Sequence, residues 1–142
     1  MEAILGAQLE GKSGPVPTAS IADTEFVLLY FSAHWCPPCR GFTPRLVTFY
    51  EEVNSTRKQV EVVFVSFDRE DNGFREYYGE MPWLTVPFAN KAAREALAKR
   101  FGVSGIPMLT LLKRDGSIAV NNCRGDVETR GPAALDRWRA AL

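Results

Sequence analysis

The sequence predicts an α/β protein whose central mixed β-sheet is flanked by helices on both faces. Three observations carry that expectation. Two continuously apolar runs, Phe26–Ser32 and Val60–Phe67, are too short for independent helices and read as strands covered on both sides. Apolar residues at helical spacing alternate with them, first Phe42, Leu46, Phe49 and Val53, then Ala93, Leu97 and Phe101. Later, Met108–Lys113 and Ile118–Asn121 flank Arg114-Asp115-Gly116-Ser117, whose Asp-Gly step closes a hairpin. Helical crossovers followed by a hairpin give a sheet with both parallel and antiparallel pairs.

Taken in order, residues 1–20 mix small residues with Gly11, Gly14, Pro15 and Pro17, which suggests a loosely ordered lead-in with one edge strand near Val16. Phe26–Ser32 is the central strand. The helix after it runs from Pro37 to Val53, and Pro44 should kink it, because proline removes one hydrogen bond and crowds the preceding turn. Val60–Phe67 is the second buried strand, with Asp68–Gly73 as its polar loop exit. Asn90 caps the next helix and Gly102 suits its left-handed stop. After the hairpin, Gly131-Pro132 opens a last helix with Leu135, Trp138 and Leu142 on its inner face. Trp83 and Trp138 read as packing residues. The chain shows no repeat or linker, and residues 1–142 are expected to form one domain.

Charge and composition narrow the function. Seventeen basic and seventeen acidic side chains give zero net charge with no basic stripe, which argues against nucleic acid and anionic membranes as partners. The start of the chain lacks the positive, then apolar, pattern of a signal peptide, and no stretch reaches the ~18 apolar residues of a membrane span. Three cysteines suit a reducing compartment rather than a secreted disulfide framework. The expected location is the cytoplasm, with the nucleus also open to it. A zinc site would have to recruit Cys36, Cys39, Cys123 and the sole histidine, His34, and this spacing disfavours it. No metal and no bound cofactor are expected.

The segment Trp35-Cys36-Pro37-Pro38-Cys39 lies where the first strand hands over to a helix. Two thiols three residues apart can close a small ring, and a helix start turns unpaired backbone N–H groups toward the first of them. Only the thiolate attacks a disulfide. An ordinary thiol is about 3% ionised at pH 7, whereas a helix N-terminus favours an anion by about 0.3–1 kcal/mol, more when partly buried. Cys36 is therefore the expected nucleophile and Cys39, one turn on, the resolving thiol. Pro37 and Pro38 fix their φ angles and lack N–H groups that the first turn would leave unpaired anyway, so they set the geometry of the ring. Trp35 is expected in the apolar rim that receives substrate. Cys123 has no cysteine near it in sequence and reads as a structural or incidental thiol.

Trp35-Cys36-Pro37-Pro38-Cys39-Arg40, Pro44, Met81-Pro82-Trp83-Leu84-Thr85-Val86-Pro87-Phe88 and Gly105-Ile106-Pro107 together resemble the tryparedoxin and nucleoredoxin group of the thioredoxin superfamily. The resemblance runs from about Phe26 to Gly116. It implies a thioredoxin fold, Cys36 as nucleophile, Cys39 as resolving thiol, and a cis Ile106-Pro107 bond that sets Ile106 backbone groups beside the sulfurs for substrate pairing. It implies oxidised proteins as substrates, a peroxidase among them, and electrons from a low-molecular-weight thiol such as trypanothione or glutathione, or from a reductase, with the chain acting as a monomer. The buried carboxylate of ordinary thioredoxins, six residues before the nucleophile, falls on Tyr30. Water, Asp68 or His34 is left to take the proton. Asp68-Arg69-Glu70 reads as a solvated loop, His34 as a solvated side chain and Arg40 as a surface charge.

The leading expectation is a dithiol-disulfide oxidoreductase. Two rivals remain at this level: a redox-regulated binding module that switches partners without turnover, and a thiol peroxidase, against which no Pro-x-x-x-Thr-x-x-Cys pattern precedes any cysteine.

Overall fold

The computed structural model describes residues 1–142. Its elements follow the chain as α1 (Glu2–Leu5), β1 (Gln8–Gly11), β2 (Gly14–Pro17), β3 (Phe26–Ser32), α2 (Pro37–Val53), β4 (Val60–Ser66), α3 (Asp71–Tyr78), β5 (Leu84–Thr85), α4 (Lys91–Arg100), β6 (Met108–Leu112), β7 (Ile118–Val120), α5 (Arg124–Arg130) and α6 (Ala134–Ala141). Seven strands form one sheet in the order β2-β1-β5-β4-β3-β6-β7. β3 pairs in parallel with β4 and antiparallel with β6, so the fold is α/β with a mixed sheet.

Every residue of β3 and β4 is buried, because both faces of the sheet are covered. Alternation within β3 divides the core. Phe26, Leu28 and Tyr30 meet α2, α3 and α6 through Phe42, Leu46, Phe49, Tyr77 and Trp138. Val27, Leu29 and Phe31 meet α1 and α4 through Leu5, Leu97 and Phe101. A one-residue slip would exchange these two sets, so register and layer order specify each other.

Local signals end the elements where expected. Asn90 Oδ1 accepts a 3.2 Å hydrogen bond from the Ala93 N–H, and Gly102 follows α4 with φ of 62°. In the β6–β7 hairpin, Asp115 Oδ1 accepts from the Ser117 N–H at 2.9 Å, and Gly116 takes φ of 88°. α2 continues unbroken through Pro44, which sits on its exposed side where the lost backbone bond faces solvent.

Four segments differ from the sequence expectation. Residues 1–21 carry a helical turn, a β1–β2 hairpin that joins the sheet through β5, and a 3-10 turn at Thr18–Ile21, with Leu5, Leu9 and Ile21 buried. Their Gly and Pro content hides this order, since an edge hairpin needs no long apolar run. The polar exit after β4 becomes α3 at Asp71, whose one apolar face is Phe74, Tyr77 and Tyr78. α5 contributes only Val127 to the core and so left no periodic trace. Finally, Leu142 lies beyond α6 and is 47% exposed, whereas Leu135 and Trp138 are buried as expected. No helix is long and apolar enough to cross a membrane.

Candidate active site

Because β3 ends at Ser32 in the middle of the sheet, the turn Ala33–Cys36 is carried to one end of the molecule by a fully buried strand. Cys36 occupies the N-cap of α2 in an extended conformation, with Pro37 and Pro38 as the first two helical residues. The helix therefore begins at the sulfur-bearing residue; Pro37 and Pro38 carry no N–H and the Arg40 N–H bonds to the Cys36 carbonyl at 3.1 Å, which leaves the Cys39 N–H as the first-turn amide open toward that end. Both cysteines are free thiols; Cys36 is 5% exposed and Cys39 fully buried beneath it.

Across from this turn, the Ile106–Pro107 peptide bond is cis. The Cys36 thiol lies 3.9 Å from the Ile106 carbonyl oxygen, so the structure brings together Cys36, Cys39, Pro37, Pro38, Ile106 and Pro107. Trp35 stands at the rim and is 50% exposed, yet it is not free to swing. Its indole N–H donates to the Phe67 carbonyl at 3.2 Å, and the Arg69 guanidinium lies 5.2 Å from its ring. An apolar face held open beside a thiol is what a protein substrate can rest on.

The two sulfurs occupy unlike environments. Burial, followed by the hydrogen bond to Cys36, pushes the Cys39 thiol up to about 11, so only about one in ten thousand is ionised at pH 7. Cys39 is thus held as a thiol while Cys36, at the N-cap, is the one of the two with any exposure. Such an arrangement can attack from Cys36 and keep Cys39 in reserve.

Asp68 is not part of a solvated loop. It is buried, and its carboxylate accepts from the His34 N–H at 2.8 Å and the Ser66 hydroxyl at 2.8 Å. The exit of β4 therefore ties down the active-site turn at the end of β3. His34 is half-buried rather than freely solvated, with its ring 5.7 Å from that of Tyr77. Arg40 is exposed. Cys123 is wholly buried and far from solvent, and burial raises its thiol to about 12, in keeping with a structural role.

Sequence reasoning missed the surroundings of Tyr30. Its hydroxyl lies 2.7 Å from Thr43 Oγ1 and 3.1 Å from Ser32 Oγ, and the Tyr77 hydroxyl lies 2.6 Å from each of those atoms. Four buried hydroxyls thus replace the carboxylate. The available signal was Thr43, one turn after Cys39 on the inner face of α2; Tyr77 lay on a helix the pattern did not reveal.

A family model described as Thioredoxin-like matches residues 23–118. Tryparedoxin of Trypanosoma brucei brucei is 48% identical over 107 residues, which cover 75% of this chain and 73% of that protein. Probable nucleoredoxin 1 of Arabidopsis thaliana is 43% identical over 124 residues, 87% of this chain but 21% of the relative. The chain thus spans about a fifth of that nucleoredoxin's length, and 27% of the length of the nucleoredoxin of Danio rerio, to which it is 42% identical. Among solved structures, native tryparedoxin I from Crithidia fasciculata superposes with a TM-score of 0.84 at 39% identity, covering 93% of this chain and 92% of its own. A tryparedoxin II solved in complex with glutathionylspermidine gives a TM-score of 0.82 at 34% identity, covering 92% and 90%.

Proposed function

The chain belongs to the tryparedoxin and nucleoredoxin group of the thioredoxin-like family, a group of redox proteins, and we propose that it is a dithiol-disulfide oxidoreductase that reduces protein disulfides through Cys36 and Cys39. The observation that carries this reading is the pair of free thiols at the N-terminus of α2, Cys36 at the N-cap retaining slight exposure and Cys39 fully buried one turn on.

In the forward half-reaction the Cys36 thiolate attacks one sulfur of the client disulfide. A Cys36–client disulfide forms, and the other client sulfur leaves as a thiolate that is protonated by solvent. Cys39 then gives up its proton and attacks Cys36 Sγ, which forms the Cys36–Cys39 disulfide and releases the second client thiol. Two electrons have passed to the client. A thiol donor returns them by the same exchange in reverse. The half-buried Ile106, its carbonyl 3.9 Å from the Cys36 thiol, offers the client main chain a hydrogen-bonding edge, and Trp35 gives its side chains an apolar support.

The donor is a low-molecular-weight thiol of the glutathionylspermidine, trypanothione or glutathione class, or a reductase; the clients are oxidised proteins, a thiol peroxidase among them. The complex of tryparedoxin II with glutathionylspermidine supports the first of these. The chain acts as a monomer in the reducing cytoplasm, without a bound cofactor.

Insulin reduction with dithiothreitol, run beside direct consumption of hydrogen peroxide, tests the activity. Turnover of insulin without peroxide consumption is expected. Peroxide consumption without insulin turnover would make the protein a peroxidase, and inertness in both assays would favour a redox-regulated binding module.

A further inference from the structure

The charged side chains around the thiol turn are unequally paired. Glu128 holds Arg124 at 3.0 Å and Arg45 at 3.7 Å, Glu95 holds Lys91 at 3.8 Å, and Asp71 holds Arg75 at 3.5 Å. Asp68 is buried, with one oxygen taken by the His34 N–H and the other by the Ser66 hydroxyl. No carboxylate is left for Arg69 or Arg94, nor for Arg40, exposed in the first turn of α2. Glu70 is the single acid of this face that is also unpaired.

Two hollows meet at Arg69. The first, of about 260 Å³, lies against Trp35, the neighbour of Cys36, and against His34 and Glu70. The second, of about 460 Å³, lies between Arg69, Phe88, Lys91 and Arg94, and its size is that of a small-molecule site, roughly 300–1,000 Å³. The Arg69 guanidinium lies 5.2 Å from the Trp35 ring. Arg94 is held in place: its Nε donates to the Phe88 carbonyl at 3.0 Å, one terminal nitrogen donates to the Ser66 carbonyl at 3.2 Å, and the guanidinium lies 4.3 Å from the Phe88 ring. Those bonds leave part of its fork of donors unused. Burial lowers the Arg94 pKa, opposed by the more distant charges of Glu95 and Asp68. A half-buried cation without a counter-ion gains from a carboxylate placed beside it.

We propose that the electron donor is an anionic thiol of the glutathione class, one carboxylate of which is taken by Arg69 and Arg94 while its sulfur meets Cys36. The proposal rests on the redox reading above and chooses among the donors it allows. Glutathione carries two carboxylates against one ammonium. Conjugation to a polyamine removes the glycine carboxylate and adds protonated amines, so a thiol such as glutathionylspermidine presents the opposite sign to Arg40, Arg69 and Arg94. In the reaction, the donor thiolate attacks Cys36 Sγ of the oxidised pair. The donor–Cys36 disulfide forms, and Cys39 leaves as a thiolate that takes a proton from solvent. A second donor thiolate then attacks the donor sulfur, which frees Cys36 and yields the oxidised donor disulfide. Two electrons have entered the pair.

The full-length chain, oxidised to the Cys36–Cys39 disulfide, is mixed at pH 7 with glutathione or with glutathionylspermidine, quenched by alkylation and weighed. Each rate is divided by the same thiol's rate with dithiodipyridine, which removes differences in intrinsic reactivity. An exposed ion pair is worth about 2- to 5-fold, so two contacts should favour glutathione by about 4- to 25-fold. Arg69→Gln should narrow this ratio by about 2- to 5-fold, Arg69→Lys should keep most of it, and Arg69→Glu should narrow it further than Gln does. Raising sodium chloride from about 0.05 to about 0.5 M should also narrow it, since the pairs are exposed to screening. Because both thiols are compared on the same variant, a general loss of activity cancels.

A parent that is reduced equally fast by both thiols, or faster by glutathionylspermidine, overturns the proposal. So does an Arg69→Gln ratio equal to the parent's. Arg94→Gln should narrow the ratio as well, and if it misfolds by circular dichroism the exposed Arg69 decides. A parent whose oxidised pair is not reduced even by dithiothreitol contradicts the redox reading itself, a failure distinct from the others.

Discussion

The Asp68 carboxylate at the exit of β4 accepts the backbone N–H of His34, two residues before Cys36, at 2.8 Å. This one bond couples two neighbouring parallel strands to the position of the turn that holds the thiols. Removing it should both destabilise the protein and loosen the site. Asp68→Ala leaves the His34 N–H and the Ser66 hydroxyl short of an acceptor in a buried place, at a cost of about 1–3 kcal/mol. Asp68→Asn keeps an acceptor for His34 and should lose less. Urea unfolding of the three proteins measures this, with the order parent, Asn, Ala expected.

Stability should fall on the alkaline side. Burial raises the thiols of Cys39 to about 11 and Cys123 to about 12, raises the Tyr50 phenol to about 12, and lifts Tyr77 and Tyr78 above the ordinary phenol range. These groups keep their protons when folded, while the unfolded chain ionises its thiols near ~8.5 and its phenols near ~10. Between those values and the folded ones, unfolding releases protons. The stabilising contribution is complete below about pH 8.5 and is lost as pH rises. Urea midpoints measured in reductant at pH 7, 9 and 10 should fall in that order. Cys123→Ala should flatten the early part of the fall.

Trp138 anchors the end of the sheet remote from the thiols. Its indole N–H donates to Asp126 Oδ2 at 3.0 Å, and its ring packs edge-on against Phe26 and Phe49. Phe26 begins the strand whose other end carries the site, about 20 Å away for seven residues. Trp138→Ala should cost about 3–5 kcal/mol through lost burial and the cavity left behind. Its rate of insulin reduction, measured well below its melting temperature, should match the parent's. A large rate loss in a folded variant would show that the two ends are coupled.

How far the sequence revealed this molecule depended on how local each signal was. β3, β4 and the inner face of α2 could be read because their apolar spacing records burial directly. α3 could not, since only Phe74, Tyr77 and Tyr78 of its eight residues are buried and its start is polar. The cysteine pair was legible because its chemistry depends on a spacing of three residues and a helix start. The Ser32–Tyr77 contact spans 45 residues of chain and exists only once α3 packs on the sheet. Tyr30 shows the same limit: its position announces a missing carboxylate, whereas two of the hydroxyls around it, those of Thr43 and Tyr77, come from two other elements.

The central claim, that Cys36 attacks and Cys39 resolves, is tested most directly by trapping. Reduced Cys39→Ser and Cys36→Ser proteins are incubated at pH 7 with a disulfide-containing client and resolved by mass spectrometry without reductant. The account predicts a stable one-to-one adduct through Cys36 in Cys39→Ser and none in Cys36→Ser, whose remaining active-site thiol is buried and protonated. An adduct formed readily by Cys36→Ser, or multiple turnover by Cys39→Ser at the parent rate, would contradict it.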